Sequence, residues 1–272
     1  MGRINMIRLN DFLDRLSLIK VLSFFLLIIL VLTLIPMVFK IHLGSLFFKF
    51  ILYGIMLLFF AYELNKIDFN EMSFKKALRN EYDSLFKVAD IYHVSFIVIA
   101  NILFVSAIYF ILRYLSYLSI IDFNSPLFGN FRTISISILA LYFLTVVILS
   151  PIIEELLFRG MFLRRFNKEL NVTLAILISS ALFGVCHNFG GILGAILFGI
   201  CVAILYIKSK NILVPIFAHF LNNLLSFILA LSGIEYLIQS NLIIILLIII
   251  LAIASNFVLF KAIISEWPKS ME

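Results

Sequence analysis

The amino-acid sequence predicts an all-α fold, a polytopic transmembrane helical bundle of about eight spans with both termini cytoplasmic. Three observations predict it. Hydrophobic residues make up 64% of the chain and charged residues only 13%, with a mean hydropathy of +1.17, far more apolar than a water-soluble domain. Apolar runs of spanning length recur from one end to the other. Lysine and arginine gather on alternate connections, as they do where an anionic cytoplasmic leaflet fixes orientation.

Eight apolar segments follow one another, at 21–39, 43–62, 91–112, 133–153 and beyond, 172–186, 192–207, 212–231 and 242–259. The first is long enough to span and lacks a small-residue cleavage site, so it reads as a membrane helix and not a signal peptide. Between the second and third lies a loop of mixed charge, residues 63–90. There Phe69, Phe74, Leu78, Tyr82, Leu85 and Phe86 recur at helical spacing, as in an interfacial amphipathic helix; a solvated loop is the alternative. The fourth segment continues in helical pattern to Phe166, with Pro151 marking a kink. The fifth and sixth are short against the roughly 20 residues a span needs. Their connection, His187-Asn188-Phe189-Gly190-Gly191, is polar and glycine-rich, a backbone tolerated at depth only where protein or a cavity surrounds it.

Seventeen of the 21 Lys and Arg residues fall on one side of this topology: in the N-terminal tail, in 63–90, after Glu154, in 208–211 and in the C-terminal tail. Lys40, Lys49, Arg113 and Arg132 fall on the other. The net charge of +6 therefore reflects membrane orientation, and no nucleic-acid partner is expected. Cys186 and Cys201 stand in apolar stretches and read as packing residues, excluding a disulfide framework or a four-cysteine metal site. His42 and His93, at span ends, are assigned no chemistry. Asn101, alone in the third span, suits an interhelical hydrogen bond. The first three spans and the last otherwise show almost no functional polar residues.

The chemistry is concentrated where charges interrupt apolar sequence at a cost that demands a function or a partner. Ser150 to Arg159 reads Ser-Pro-Ile-Ile-Glu-Glu-Leu-Leu-Phe-Arg. Glu155 and Arg159, four apart, share a helical face and can pair; Glu154 is turned about 100° away and can face a cavity. His219 and Asn223 share a face of the seventh segment and can donate to a developing oxyanion. His187, after the fifth segment, is left to work beside Glu154, and the two form a general-base set for activating water. At about 1.5 Å per residue, Glu154, His187 and His219 all lie between the cytoplasmic interface and mid-membrane. A single zinc held by Glu154, His187 and His219 is the alternative, although no His-Glu-x-x-His spacing occurs and each ligand comes from a different segment. The preferred reading requires no cofactor.

Glu-Glu-x-x-x-Arg at Glu154 to Arg159, Phe-x-x-x-His at Phe183 to His187 and His-x-x-x-Asn at His219 to Asn223 resemble, in that order, the motifs of the CPBP family. That family comprises type II CAAX prenyl proteases and bacteriocin-processing or immunity proteins, also called the Abi family. The resemblance implies a catalytic core at 133–231, preceded by three helices with their cytoplasmic loop (1–132) and followed by the last span and tail (232–272). It implies an intramembrane endopeptidase in which Glu154 and His187 activate water, His219 and Asn223 form the oxyanion hole, and Glu155 and Arg159 support the site. Members are often called metalloproteases, and a metal-independent glutamate mechanism is also proposed for them. The expected partners are the lipid bilayer and a membrane-associated protein or peptide substrate. A non-enzymatic membrane immunity or regulatory protein, binding a bacteriocin or a membrane sensor, is the competing function. The richness in Ile, Leu, Phe, Lys and Asn suits the plasma membrane of a low-GC bacterium.

Overall fold

A computed structural model describes residues 9–41, 43–67, 73–123, 126–127, 131 and 134–271. His42, Phe69, Arg132, Thr133 and the first eight residues lie outside the described residues. The described chain is helical without strands, and seven of its helices are long and apolar enough to cross a membrane. The chain is a multi-pass membrane protein built as a helical bundle.

A short N-terminal helix, α1 (Leu9–Arg15), precedes two long apolar helices, α2 (Leu18–Val38) and α3 (Ser45–Asn65). Then come α4 (Phe74–Val88) and α5 (Ile91–Tyr117). Polar residues cap these starts and satisfy amides that a helix leaves orphaned: Ser17 accepts from the Lys20 amide, Ser73 from Lys76, and Asp90 from Tyr92 and His93. The amphipathic reading of 63–90 resolves into α4. Ala77, Glu81 and Leu85 are buried against the bundle, while Leu78, Tyr82 and Phe86 face outward, as an interfacial helix requires.

The fourth apolar segment forms one continuous helix, α6 (Ile136–Glu169), 34 residues long. It is not uniform. Two wider, π-helical stretches, Phe143–Leu149 and Leu156–Leu163, enclose a regular α-helical segment, Ser150–Glu155. Pro151 sits in the first turn of that regular segment, so the irregularity expected there is distributed over the two flanking stretches.

The fifth segment is the 14-residue α7 (Val172–Val185). At 1.5 Å per residue it is about 21 Å long, short of the ~30 Å hydrocarbon core. The sixth, expected to be short, is not: a 3₁₀ turn at Phe189–Gly191 runs into α8 (Ile192–Ser209), giving 21 residues in all. Then follow α9 (Leu213–Ser232), α10 (Ile234–Gln239) and α11 (Leu242–Ser265). Gly233, at φ 64°, ends α9 in the left-handed conformation that glycine adopts without steric cost.

The basic segments meet at one end of the bundle. Phe12 and Leu13 of α1 are fully buried there, and Asp14 pairs with Arg164 and Lys168 at the end of α6. The Glu81 carboxylate accepts the Leu9 amide at 3.1 Å and the Ile212 amide at 3.2 Å, tying α1 and the α8–α9 turn to α4. Asn10 accepts from the Tyr206 hydroxyl at 2.7 Å and donates to the Lys210 carbonyl at 3.1 Å. The C-terminal tail joins the same end through Lys208–Glu266 at 2.9 Å and Trp267–Thr173 at 2.9 Å. Arg159, counted among these cations from sequence, is not on that surface: it is fully buried in the interior. The packing reading holds for Cys201, buried at 3%, but not for Cys186, which is exposed at the α7 turn.

Candidate active site

Glu154 and Glu155 end the regular segment of α6, and the structure separates them as the helical period requires. Glu154 is half-buried. Its Oε1 accepts a hydrogen bond from the Tyr53 hydroxyl of α3 at 2.9 Å and another from Ser150, one turn earlier on its own helix. Its field also reaches Cys186 and His187. Tyr53 belongs to a span in which the sequence marks almost no functional polar residue, and the structure sets its hydroxyl on Glu154. An isolated tyrosine in an apolar run gives no periodic signal, and its partner stands 101 residues away.

Glu155 is fully buried and holds two partners. Arg159 Nη1, also fully buried, lies 2.9 Å from each of its oxygens, and His219 Nδ1 donates to Oε1 at 2.8 Å. The Glu155–Arg159 pair expected from spacing is present, and the link to His219 is an addition that spacing could not supply. Arg159 completes its fork by donating from Nη2 to the Gly199 carbonyl of α8 at 3.1 Å. A side chain at position 199 would stand 3.3 Å from that nitrogen and 3.1 Å from Ser180 Cβ, so glycine is what lets α8 approach so closely.

His187 donates from Nδ1 to the Phe183 carbonyl at 2.9 Å. A carbonyl only accepts, so Nδ1 carries the proton and Nε2 of the neutral ring is left with its lone pair. Phe183, only 1% exposed, lies between the charged groups: its ring centroid is 4.8 Å from that of His187, 5.5 Å from that of His219 and 4.6 Å from the Arg159 guanidinium carbon. A tilted ring contact to His187, an edge-to-face contact to His219 and a cation–π contact to Arg159 therefore set three polar groups around one apolar ring.

Asn223 donates from Nδ2 to the Val146 carbonyl of α6 at 2.8 Å. That carbonyl is free for a reason found in the sequence. The Ser150 amide bonds five residues back, to Thr145, so the next donor in this wide register would be residue 151 acting on Val146. Residue 151 is proline and has no N–H. Asn222 donates to Asn223 Oδ1 at 3.4 Å and accepts from Asn101 of α5 at 3.0 Å. These partners fix the orientation of the Asn223 amide and show Asn101 in the interhelical bond expected of it. His93, assigned no chemistry, pairs with its cap residue Asp90 at 2.6 Å.

Helices α3, α6, α7, α8 and α9 thus converge on one polar cluster inside an apolar bundle. Among the described residues, no hydrogen bond joins Glu154 to His187, His219 or Asn223, and no three His, Cys, Asp or Glu side chains form a group able to hold a metal. His219 is held through Nδ1 by Glu155, so Nε2 is its one ring nitrogen left for the site.

A family model, type II CAAX prenyl endopeptidase Rce1-like, matches residues 136–225, which hold every motif residue above. The segment that carries the motifs is thus similar to the type II CAAX prenyl endopeptidase family. A Bacillus subtilis (strain 168) protein with the name "Putative membrane peptidase YdiL" is 36% identical over 96 residues, covering 35% of this chain and 39% of the relative. The chain thus spans about two fifths of the curated relative's length. No solved structure matches the chain. Tyr53 and Asn101, which reach the cluster from α3 and α5, lie outside the matched segment.

Proposed function

We propose that this protein is an intramembrane endopeptidase that hydrolyses a peptide bond in a membrane-associated protein or peptide by carboxylate-activated water. One observation carries the reading: among the described residues, a half-buried carboxylate, Glu154, is anchored through one oxygen only, beside an imidazole whose Nε2 can accept. A group so held can take a proton in one fixed direction.

Water, held between Glu154 and His187 Nε2, attacks the scissile carbonyl carbon while Glu154 takes one of its protons. The C=O electron pair moves onto oxygen, and His219 and Asn223 donate to that oxyanion. Asn223 has one amide proton committed to Val146 and a second left to give. His219 has Nδ1–H committed to Glu155, so it donates from Nε2 when doubly protonated. Collapse of the intermediate breaks the C–N bond, and the proton held by Glu154 passes to the departing amine. Glu155 and Arg159 position His219 and do not touch the reacting atoms.

The membrane setting, the Rce1-like match and the similarity to a protein named as a membrane peptidase support this reading. The test is cleavage of a panel of quenched-fluorophore peptides, anchored by an alkyl chain or a transmembrane helix, by protein reconstituted in liposomes. Wild type is expected to cleave, and Glu154→Ala and His187→Ala to lose at least a hundredfold in kcat. Equal cleavage by all three overturns the assignment.

A further inference from the structure

We propose that Tyr53 is a positioning residue for Glu154, supplied by a helix outside the family-matching segment; the inference rests on the protease reading above and extends it to the N-terminal part of the chain. A phenol in the middle of an apolar span is costly unless its hydroxyl finds a partner. Tyr53 is half-buried, and its hydroxyl gives its proton to Glu154 Oε1 at 2.9 Å, across the α3–α6 contact. Ser150 Oγ donates to the same oxygen from the preceding turn of α6. Oε1 is thereby occupied by two donors, while no hydrogen bond reaches Oε2 among the described residues.

The asymmetry has a chemical consequence. Two donors withdraw electron density from Oε1 and fix the carboxylate plane, so Oε2 is the oxygen left to take the proton from water, and its direction is set. Ser150 alone cannot fix that plane: it rides on the same helix as Glu154, and a single donor leaves rotation about the terminal torsion free. Tyr53 supplies the second anchor from an independent element. Helix α3 packs along the Ile136–Glu155 part of α6, so it can hold the hydroxyl in place from outside that helix.

The reconstituted-liposome peptide assay tests this, with Tyr53→Phe keeping the ring and removing only the hydroxyl. The expected result is a kcat lower by about 10- to 100-fold, the scale on which small misplacements of a catalytic group are felt, with KM within about twofold. Ser150→Ala is expected to act in the same sense, and Tyr53→Phe with Ser150→Ala to fall further than either. Thermal unfolding of each variant in detergent is expected to stay within a few degrees of wild type, which a structural defect would not. Wild-type kcat in Tyr53→Phe, or a loss confined to KM, overturns the inference and leaves the protease reading standing. Full activity in Glu154→Gln, or no cleavage by wild type, overturns the protease reading and the inference with it.

Discussion

Arg159→Met tests how much of the bundle's stability rests on a charge that the membrane should exclude. Arg159 and Glu155 are both 0% exposed, and the guanidinium bonds Glu155 at 2.9 Å and the Gly199 carbonyl at 3.1 Å. Methionine keeps the length and apolar volume of the stem but strands the Glu155 carboxylate in a low-dielectric interior and leaves the Gly199 carbonyl without its donor. Breaking a buried pair by removing one partner costs about 3–5 kcal/mol, most of it the uncompensated charge. A lost hydrogen bond to a buried acceptor alone would cost about 1–3 kcal/mol, so the two contributions can be told apart. The discriminating variant is Arg159→Met with Glu155→Gln, which removes both charges and keeps an acceptor for His219 Nδ1. It should recover about 2 kcal/mol or more of the single-variant loss, a coupling that independent sites do not show. Unfolding of purified protein in mixed micelles of dodecylmaltoside and SDS gives these differences. If Arg159→Met unfolds within about 1 kcal/mol of wild type, or the double variant shows no recovery, the charge-pair argument is wrong.

Three further outcomes are expected. Pro151→Ala supplies the missing amide to the Val146 carbonyl and displaces Asn223 from it; kcat should fall at least tenfold while the thermal midpoint holds or rises, both read on one preparation. Asp14 lies in α1, outside the spans, where burial raises its carboxyl but the hydrogen bond and charge of Arg164 and the charge of Lys168 more than offset this and hold it below its ordinary range. A depressed folded-state value means the docking of α1 is fully stabilised above the ordinary carboxylate value near 3.9 and loses that stabilisation as pH falls through the lower folded value. Hydrogen exchange of Leu9–Arg15 should therefore accelerate in acid beyond its intrinsic pH dependence, and Asp14→Asn should remove the excess. Finally, 1,10-phenanthroline should leave peptide cleavage within twofold of the untreated rate, with less than about a tenth of an equivalent of zinc per active chain by elemental analysis; stoichiometric zinc lost together with activity would reverse the metal-free reading.

Much of this site was legible in one dimension because helical periodicity is a local property. The i, i+4 spacing of Glu155 and Arg159 put them on one face, and the structure has them paired. Phe183 and His187, also four apart, have their ring centroids 4.8 Å apart. What local spacing could not reveal is which face meets which. His219 was expected to donate to an oxyanion, and spacing gave no sign that its Nδ1 is held by Glu155, 64 residues away. Asn223 was expected to donate to the same oxyanion, and spacing gave no sign that one of its amide protons is held by the Val146 carbonyl, which Pro151 leaves vacant. Tyr53 left no trace in sequence, since one hydroxyl on an apolar helix has no period.

By itself, the sequence determined that the chain spans a membrane in helices and where along those helices the costly charges stand. Hydropathy and backbone hydrogen bonding act residue by residue, and in lipid they leave a bundle few alternatives. The tertiary structure alone decided the division of labour between two adjacent glutamates: which oxygen of Glu154 is tied to α3, and that Glu155 holds both Arg159 and His219. That choice depends on helix rotation and packing depth, which arise from contacts between residues far apart in the chain and are carried by no single segment.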